Sequence, residues 1–321
     1  MQNDRILIKP TDYMADFDEI ADGSEPRSRC RYFVEPYTSN LINEVCEANY
    51  YPGNRVPYHE HATGFETFLV DNGSLEISIR SRKSLLNTGD IVHLPPYTPH
   101  SILALEDNTI WRAFHQGLEM TPNMMDERQL RDLYPDLFFA PTFHSVNAAR
   151  RNSVWFDYKI SETRDVPKSD IPEIRPFDFA LADYAFEGIE LKLKVGRWET
   201  AGAKEVWQLR IKKGFTMSWE PGCPLSHLYD VYSGKVELKV DGVAGAMIAE
   251  KRDLLHIPKF VAGSITALED TVIYDAGCQG FLTRLMDEMR FYQVNEPEKL
   301  KDKDFVREIM KKHDYYVFFG L

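Results

Sequence analysis

The sequence predicts an all-β protein built from two tandem barrels, each followed by a short helical stretch. Three features predict this fold class: a repeat that spans most of the chain, short runs that alternate apolar and polar residues, and turn-forming residues that separate the runs. The chain has 321 residues, which is room for about two domains of roughly 150 residues each. We therefore expect one barrel in residues 1–150 and the other in residues 151–321.

The repeat is visible as three pairs of matched segments in the same order. Ser101–Ile110 reads Ser-Ile-Leu-Ala-Leu-Glu-Asp-Asn-Thr-Ile, and its counterpart reads Ser-Ile-Thr-Ala-Leu-Glu-Asp-Thr-Val-Ile. The counterpart is Ser264–Ile273, and two further pairs lie upstream: Asp90–Tyr97 with Asp253–Phe260, and Val70–Ile77 with Val231–Leu238. The offset is 161 residues for the pair furthest upstream and 163 for the others. The second copy should therefore contain a loop that is two residues longer, around residues 241–246.

Each copy reads as a series of short strands. Leu75–Arg80 and Val236–Asp241 alternate apolar and polar residues with a period of two, as in a half-buried strand. Turn residues such as Asp71–Gly73 and Asn87–Asp90 separate the runs. Many short strands at this spacing are typical of a barrel or a sandwich.

The remaining segments connect or cover the barrels. Helical stretches are expected near Met124–Leu133 and Leu282–Tyr292, and again in the charged segment Glu296–Asp314. The apolar run Tyr315–Phe319 is expected to pack on a barrel. The segment Asn152–Glu187 is rich in Pro and Asp and should cross between the two barrels.

Composition excludes several classes of function. Acidic residues outnumber basic ones 50 to 38, which gives a formal charge of −12 and argues against nucleic acid or an anionic membrane as the main partner. No run reaches the roughly 18 apolar residues of a membrane helix, and the first residues lack the apolar core of a signal peptide. The four cysteines are dispersed without a C-x-x-C pair. We expect reduced thiols and a cytoplasmic protein.

The first copy carries a pattern of metal-ligating residues. His59 and His61 lie two residues apart, so on a strand both side chains face the same side. Glu66 follows across a short turn, and His100 comes from a third strand after a proline-bounded turn. Three imidazoles and a carboxylate that converge inside a barrel form a site for a divalent transition metal.

The spacing of these residues resembles that of a known superfamily. Gly53–Gly73 and Gly89–His100 match the two motifs of the cupins, whose barrels are of the double-stranded β-helix, or jelly-roll, type. The second motif departs from the usual pattern at Tyr97, where glycine is common, and at Ala104, where asparagine is common. Neither position is a ligand. Because the second copy shares the framework, the whole chain resembles a bicupin.

The second copy has lost the ligand set. Aligned on the glycines, the four ligand positions are occupied by Glu220, Gly222, His227 and Gly263. Two of these have no side chain, and two ligands rarely hold a metal. We therefore expect a metal in the first barrel alone and a structural role for the second barrel.

Several other residues are candidates for the substrate pocket. Glu66 can also act as a base if it leaves the metal during the reaction. Arg55 is an even number of residues from His59, so on a regular strand it faces the same side, and two roles are open for it: contact with an anionic substrate or a place in a solvated loop. The remaining pocket candidates are Phe68, Val70, Tyr97, Trp111 and His115.

The resemblance to bicupins favours a non-haem iron dioxygenase that acts on a small aromatic or enolic substrate. Two alternatives stay open: a redox-neutral isomerase, lyase or decarboxylase, in which the metal acts as a Lewis acid, and a non-catalytic bicupin that binds a small molecule. Oxalate decarboxylase-type bicupins usually keep both metal sites, so the broken second copy counts against them. Fe²⁺ is the favoured metal, although Mn²⁺, Ni²⁺, Zn²⁺ and Cu²⁺ accept the same ligands. Exposed barrel edges make a homodimer an option.

Overall fold

The structure is a computed structural model, and it describes only part of the chain. The described residues are 7–9, 17–19, 28–34, 44–117, 153–155, 163–224, 226–278 and 282–320, with isolated positions between 129 and 150. They form two compact units, Met14–Asp178 and Met1–Tyr13 together with Phe179–Leu321. The division after Asp178 lies later than the boundary expected at residue 150.

In its described part the unit Met14–Asp178 consists mainly of strands, with a short 3-10 helix at Lys168–Asp170. The isolated described positions Gln129, Leu133, Asp136, Val146, Ala149 and Arg150 are helical. Its strands are β2 (Phe17–Glu19), β3 (Ser28–Val34), β4 (Glu44–Tyr50), β5 (Arg55–His61), β6 (Glu66–Asn72), β7 (Ser74–Ile79), β8 (Arg82–Asn87), β9 (Ile91–Leu94), β10 (His100–Ala104), β11 (Thr109–His115), β12 (Ser153–Trp155), β13 (Arg164–Asp165) and β14 (Ile174–Arg175).

Two sheets enclose the core of this first barrel. One has the strand order β12-β5-β10-β7-β8-β13, and the other has the order β14-β9-β6-β11-β4-β3-β2. Alternate residues of the strands face inward, as the period of two predicts. The buried core comprises Cys46, Ala48, Tyr50, Phe68, Val70, Leu75, Ile77, Ile79, Leu86, Val92, Leu94, Ile102, Ala104, Trp111, Ala113, Ile171 and Ile174.

The segment after residue 150 belongs structurally to this barrel. Its strands β12, β13 and β14 pair with β5, β8 and β9 respectively. Ile171 and Ile174 are buried in the barrel core, and Glu173 is ion-paired with Arg80. The segment expected to cross between barrels therefore also completes the edges of the first one.

The second unit repeats this plan of strands and contains two fully described α-helices. Its strands are β1 (Leu7–Lys9), β15 (Ala182–Phe186), β16 (Ile189–Val195), β17 (Glu205–Ile211), β18 (Thr216–Trp219), β19 (His227–Ser233), β20 (Lys235–Val240), β21 (Met247–Glu250), β22 (Leu254–Ile257), β23 (Gly263–Ala267), β24 (Thr271–Cys278) and β25 (Val317–Phe319). Its helices are α1 (Leu282–Asn295) and α2 (Lys303–Lys312), with 3-10 turns at Arg197–Glu199 and Pro297–Lys301.

The two sheets of this unit have the orders β1-β22-β19-β24-β17-β16-β15 and β21-β20-β23-β18-β25. Strands β4 to β11 of the first barrel correspond one for one to β17 to β24 of the second. The β20–β21 connection spans residues 241–246, whereas β7 and β8 are joined by Arg80 and Ser81 alone. Because β8 is two residues longer than β21, the net insertion is the predicted two residues.

Helix α1 places Leu282, Leu285, Met286 and Met289 against the core, at the spacing of one helical face. Helix α2 is capped by Asp302, whose side chain accepts from the backbone N–H of Asp304 and Phe305. The run expected to pack on a barrel contains β25, which pairs with β18. The stretch Met124–Leu133, expected to be helical, lies largely outside the described residues.

In the described part of the chain, no helix has both the length and the apolar character that crossing a membrane requires.

Candidate metal centre

Four side chains meet inside the first barrel, and they are the four predicted ligands. His59 and His61 come from β5, Glu66 begins β6, and His100 begins β10. All four are buried, and one ligand atom from each lies within 4.8 Å of the others. His59 and His100 are directly opposite in the β5–β10 ladder, with ring centroids 4.2 Å apart.

Each histidine is anchored through its Nδ1 atom. His59 Nδ1 is 2.8 Å from the carbonyl oxygen of Pro57, and His100 Nδ1 is 2.8 Å from that of Thr98. A carbonyl only accepts, so in these two rings Nδ1 carries the hydrogen and Nε2 of the neutral ring is an acceptor. His61 Nδ1 is instead 2.9 Å from the hydroxyl of Ser153 on β12.

The opposite ring atoms face one another without hydrogen bonds. Glu66 Oε2 lies 2.8 Å from His100 Nε2 and 3.4 Å from His61 Nε2. None of these three buried atoms has a partner in hydrogen-bonding geometry. Buried polar atoms are normally paired, so a cluster of bare acceptors around one point fits a bound cation. The donor set of imidazole nitrogens and one carboxylate oxygen suits a divalent transition metal.

The electrostatics of the cluster oppose protonation of His59 and of Glu66. Burial lowers the pKa of His59 well below its usual value, and the neighbouring His100 and His61 lower it further. Burial alone would raise the pKa of Glu66, but the nearby histidines, His100 first, hold it well below its usual range. Neutral imidazole and ionised carboxylate are the forms that ligate metals.

The other predicted pocket residues fall into two groups. Phe68, Val70 and Trp111 belong to the buried core, where Trp111 makes an edge contact with Tyr50 at a centroid distance of 4.3 Å. His115 is buried, and its charge is one of the influences that lower the pKa of Glu66. It therefore lies near the metal cluster. Tyr97 is two-thirds exposed, but its backbone N–H donates to the carbonyl of His61 at 2.8 Å.

Arg55 does not share the inward face of His59. The β5–β10 ladder pairs His59 with His100 but Val56 with Ile102, so the register shifts between these pairs. After the shift, Val56 packs against the core and Arg55 is exposed. The parity argument failed because it assumed a regular strand across Pro57, which cannot donate to the ladder.

The equivalent position in the second barrel is filled by other contacts. His227 lies between the thiol of Cys223, at 3.4 Å, and the hydroxyl of Tyr229, at 3.2 Å; burial lowers the pKa of His227 to about 4. Glu220 forms an ion pair with Arg307 at 2.9 Å. A Cβ at Gly263 would lie 2.8 Å from the ring of Trp219. Of the residues the structure describes, only the four in the first barrel form a group of metal-ligating type.

Sequence reasoning missed Ser153. It lies 92 residues after His61 on a strand of three residues, and no motif marks it. Its only signal was its place in a segment expected to run between the barrels.

Comparison with known proteins identifies the same fold. Residues 47–111 match the family model described as a cupin domain. The chain is similar to a mutant of Bacillus subtilis oxalate decarboxylase OxdC, with 15% identity and a TM-score of 0.53 over 99% of this chain and 89% of that chain. It is also similar to a formate complex of Lactobacillus farciminis oxalate decarboxylase, with 15% identity and a TM-score of 0.52 over 94% and 97%.

A third similar structure is a Bacillus subtilis oxalate decarboxylase studied for its Mn(II) centres, with 14% identity and a TM-score of 0.50 over 99% of this chain and 89% of that chain. No curated protein matches the sequence at a significant level. At these identities the similarity establishes the fold, two tandem cupin barrels, and leaves the reaction to be argued from the site.

The comparisons correct the activity expected from the sequence. An iron dioxygenase, and hence an oxidoreductase, was favoured, but the similar structures are oxalate decarboxylases. That expectation is wrong, and Fe²⁺ has no specific support. The reason is physical: three histidines and a glutamate select a divalent metal, but they do not determine whether the metal changes its oxidation state. The loss of the second ligand set was expected to count against decarboxylase-type bicupins. The chain nevertheless has the same fold as the oxalate decarboxylases.

Proposed function

We propose that this chain, which has the fold of two tandem cupin barrels, is a redox-neutral, metal-dependent enzyme that decarboxylates a small carboxylic acid. The observation that carries the proposal is the group of bare ligand atoms on His61, Glu66 and His100, which face one point inside the first barrel. The similarity to oxalate decarboxylases supports the choice of reaction class. The Mn(II) centres named for one of them make Mn²⁺ the first metal to test.

The charge of the site supports a carboxylate as the substrate group. Three neutral imidazoles and one carboxylate around a divalent cation leave one net positive charge in a buried space. An unpaired buried charge is unfavourable, so an anionic ligand would be bound more favourably than a neutral one. The small carboxylate would complete the charge balance and occupy an open coordination position.

The residues of the first barrel would have distinct roles in this reaction. His59, His61, His100 and Glu66 would hold the metal, which supplies Lewis-acid polarisation of a substrate carboxylate when bound. The buried rings of Phe68 and Trp111 would exclude water from the interior wall. Glu66 is a ligand first, because its Oε2 atom is among the converging atoms.

Glu66→Gln separates the two roles proposed for Glu66. If the carboxylate is only a ligand, the variant loses metal affinity and turnover together. If the carboxylate also accepts a proton from the substrate, a variant reloaded with metal at high concentration still fails to turn over. Circular dichroism would verify that the variant is folded.

The test of the proposed function begins with elemental analysis of gently purified, untagged protein. We expect about one divalent metal per chain, following the single ligand set. The protein is then incubated with oxalate, malonate and small 2-oxo acids while CO₂ release and oxygen uptake are recorded. We expect metal-dependent CO₂ release without stoichiometric oxygen uptake.

Two outcomes would overturn the proposal. Absence of metal after reconstitution at neutral pH would contradict a metalloenzyme. Metal-loaded protein that binds these acids without releasing CO₂ would instead support the non-catalytic binding alternative. The His61→Ala variant serves as the inactive control.

A further inference from the structure

His61 is held differently from the other two histidine ligands. His59 and His100 are each anchored by the backbone carbonyl two residues earlier on their own segment. His61 has no such local partner in this geometry, and its Nδ1 instead meets the side chain of Ser153. The orientation of one metal ligand thus depends on a strand that lies 92 residues away in the sequence.

Strand β12 is aligned with the ligand strand residue by residue. Ser153 is opposite His61, Val154 is opposite Glu60, and Trp155 is opposite His59. Ser153 is buried, with 8% of its surface exposed. A buried hydroxyl at 2.9 Å can accept the Nδ1 hydrogen of His61, which leaves Nε2 as the free acceptor directed at the cluster.

The second barrel supplies an internal comparison. Its strand β25 holds the same edge position, pairing with β18 as β12 pairs with β5. It carries only Val317, Phe318 and Phe319, and the position equivalent to His61 is Gly222. The hydroxyl on the edge strand is therefore present in the barrel that has the ligands and absent from the barrel that has lost them.

We propose that Ser153 is a positioning residue for the metal centre, and that docking of β12 on β5 and metal binding at His61 stabilise each other. This inference rests on the metal site of the proposed function, and not on the reaction assigned to it. The partners of metal-bound histidines fix the ring orientation and the tautomer, and their loss typically weakens metal affinity by about 10- to 100-fold. Coupling of two binding events is reciprocal, so the metal should also hold the strand.

The first test compares metal affinities of full-length variants by competition with a chelator, using Mn²⁺ and Zn²⁺. Ser153→Ala should bind each metal about 10- to 100-fold more weakly than wild type. Ser153→Thr keeps the hydroxyl on a residue suited to a strand and should restore most of the affinity. Ser78→Ala is the matched control, because Ser78 is equally buried in the same sheet, on β7. It lies between the core residues Ile77 and Ile79, so its side chain is on the opposite face of the strand from theirs. This variant should bind metal as wild type does.

The second test measures amide hydrogen exchange across residues 153–155 with and without Zn²⁺. Metal should slow exchange in the wild type, and Ser153→Ala should lose most of this slowing. A residue with only a packing role would lower the stability of the metal-free protein and leave the metal-dependent difference unchanged.

The outcomes distinguish this inference from the proposed function. Wild-type protein that binds neither metal would refute the metal centre and the proposed function together. Wild-type protein that binds metal, with Ser153→Ala binding equally tightly, would refute only the positioning role. Equal weakening in Ser153→Ala and Ser153→Thr would also refute it, because the hydroxyl would not be the cause.

Discussion

Each histidine of the metal centre uses one ring nitrogen as an anchor, and His61 and His100 leave the other as a bare acceptor in a buried space. Such an arrangement is unfavourable unless something binds the bare atoms, because desolvated acceptors lose their hydrogen bonds to water. The cluster is therefore built for a ligand more than for the stability of the barrel. Its counterpart in the second barrel shows the alternative, in which His227 is paired on both ring nitrogens.

A pair of alanine variants tests this difference. His61→Ala should lose most of the bound metal while the barrel stays folded, because the ligand set is not needed for the fold in the second copy. His227→Ala should leave the metal content unchanged and lower the stability, because it removes a buried ring that contacts Cys223 and Tyr229. Elemental analysis and thermal unfolding measure the two effects. A halved metal content in His227→Ala would reveal a second site.

The residue scale also shows what the sequence can and cannot predict. His59 and His61 were predictable because residues two apart on a strand face the same side. Arg55 was misplaced by the same rule, because the register shift before His59 reverses the alternation. Ser153 was beyond prediction, since its contact with His61 depends on the pairing of two strands distant in sequence.

Backbone strain at equivalent positions gives a second prediction. Tyr97 and Phe260 both have positive φ, +57° and +62°, and both rings are about two-thirds exposed. A side chain in this region costs about 1–2 kcal/mol, partly offset in glycine by its greater freedom when unfolded. Phe260→Gly should therefore raise the free energy of unfolding by up to about 1 kcal/mol. Phe260→Ala, which keeps the Cβ, should not; a gain in both variants would assign the effect to the exposed ring.

At the scale of elements, two tight turns connect the central strands of the barrels. Gly73 joins β6 to β7, and Gly234 joins β19 to β20; both have positive φ. A Cβ at Gly73 would lie 2.8 Å from Thr109 Oγ1, and one at Gly234 would lie 2.7 Å from Thr271 Cα. Each of these turns joins two strands that belong to different sheets. The turn at Gly73 therefore helps to position β6, the strand that carries the ligand Glu66.

Alanine at these two glycines should be strongly destabilising. The positive φ alone costs about 1–2 kcal/mol, and the close backbone approach adds to it, most at Gly234 where the contact is with a Cα atom. Gly214→Ala is the control, because Gly214 has a φ of +81° but no atom within 4 Å of an added Cβ. Urea unfolding should rank the losses as Gly234→Ala, then Gly73→Ala, then Gly214→Ala. Equal losses at all three would mean that φ strain alone matters.

The central strands of the barrels could largely be predicted from the sequence, whereas the short edge strands could not. The repeat and the alternating runs predicted the central strands, because half-buried strands have a strict period. The short edge strands β12, β13 and β14 have two or three residues each, too few to show a period. Their segment falls within residues 151–321, the range expected for the second barrel, although these strands pair with the first barrel.

At the scale of the whole molecule, two barrels with the same strand plan have different interiors. In the first, four buried polar side chains converge on one point, as a ligand site requires. Among its described residues, the second barrel has buried ionisable groups that do not converge on one point. Asp275 on β24 is 1% exposed, its Oδ2 has no partner, and Glu205 on β17 is close enough to affect it.

Asp275 should make the stability of the chain depend on pH with a defined sign. Burial, which outweighs a hydrogen bond from the backbone N–H of Gly277, raises the pKa of Asp275 to about 7, and the charge of Glu205 raises it too. Between about pH 4, its usual pKa, and pH 7 the folded chain thus binds more protons at this residue than the unfolded chain. The contribution of Asp275 to the free energy of unfolding is favourable at low pH and falls as pH rises through this window.

The variant Asp275→Asn isolates this contribution, because asparagine has a similar shape and cannot ionise. Its stability relative to wild type should increase by about 2–3 kcal/mol from pH 5 to pH 8, because about two of the three pH units between the unfolded and folded pKa values of Asp275 lie in that interval. The opposite contribution of His227, whose low pKa favours folding as pH rises, is common to both proteins and cancels in the difference. Asp241→Asn, at an exposed position in the β20–β21 loop, is the matched control and should show no pH-dependent difference. Urea unfolding at the two pH values measures both variants, and a constant difference for Asp275→Asn would show that this carboxyl group is ionised in the folded chain throughout the range.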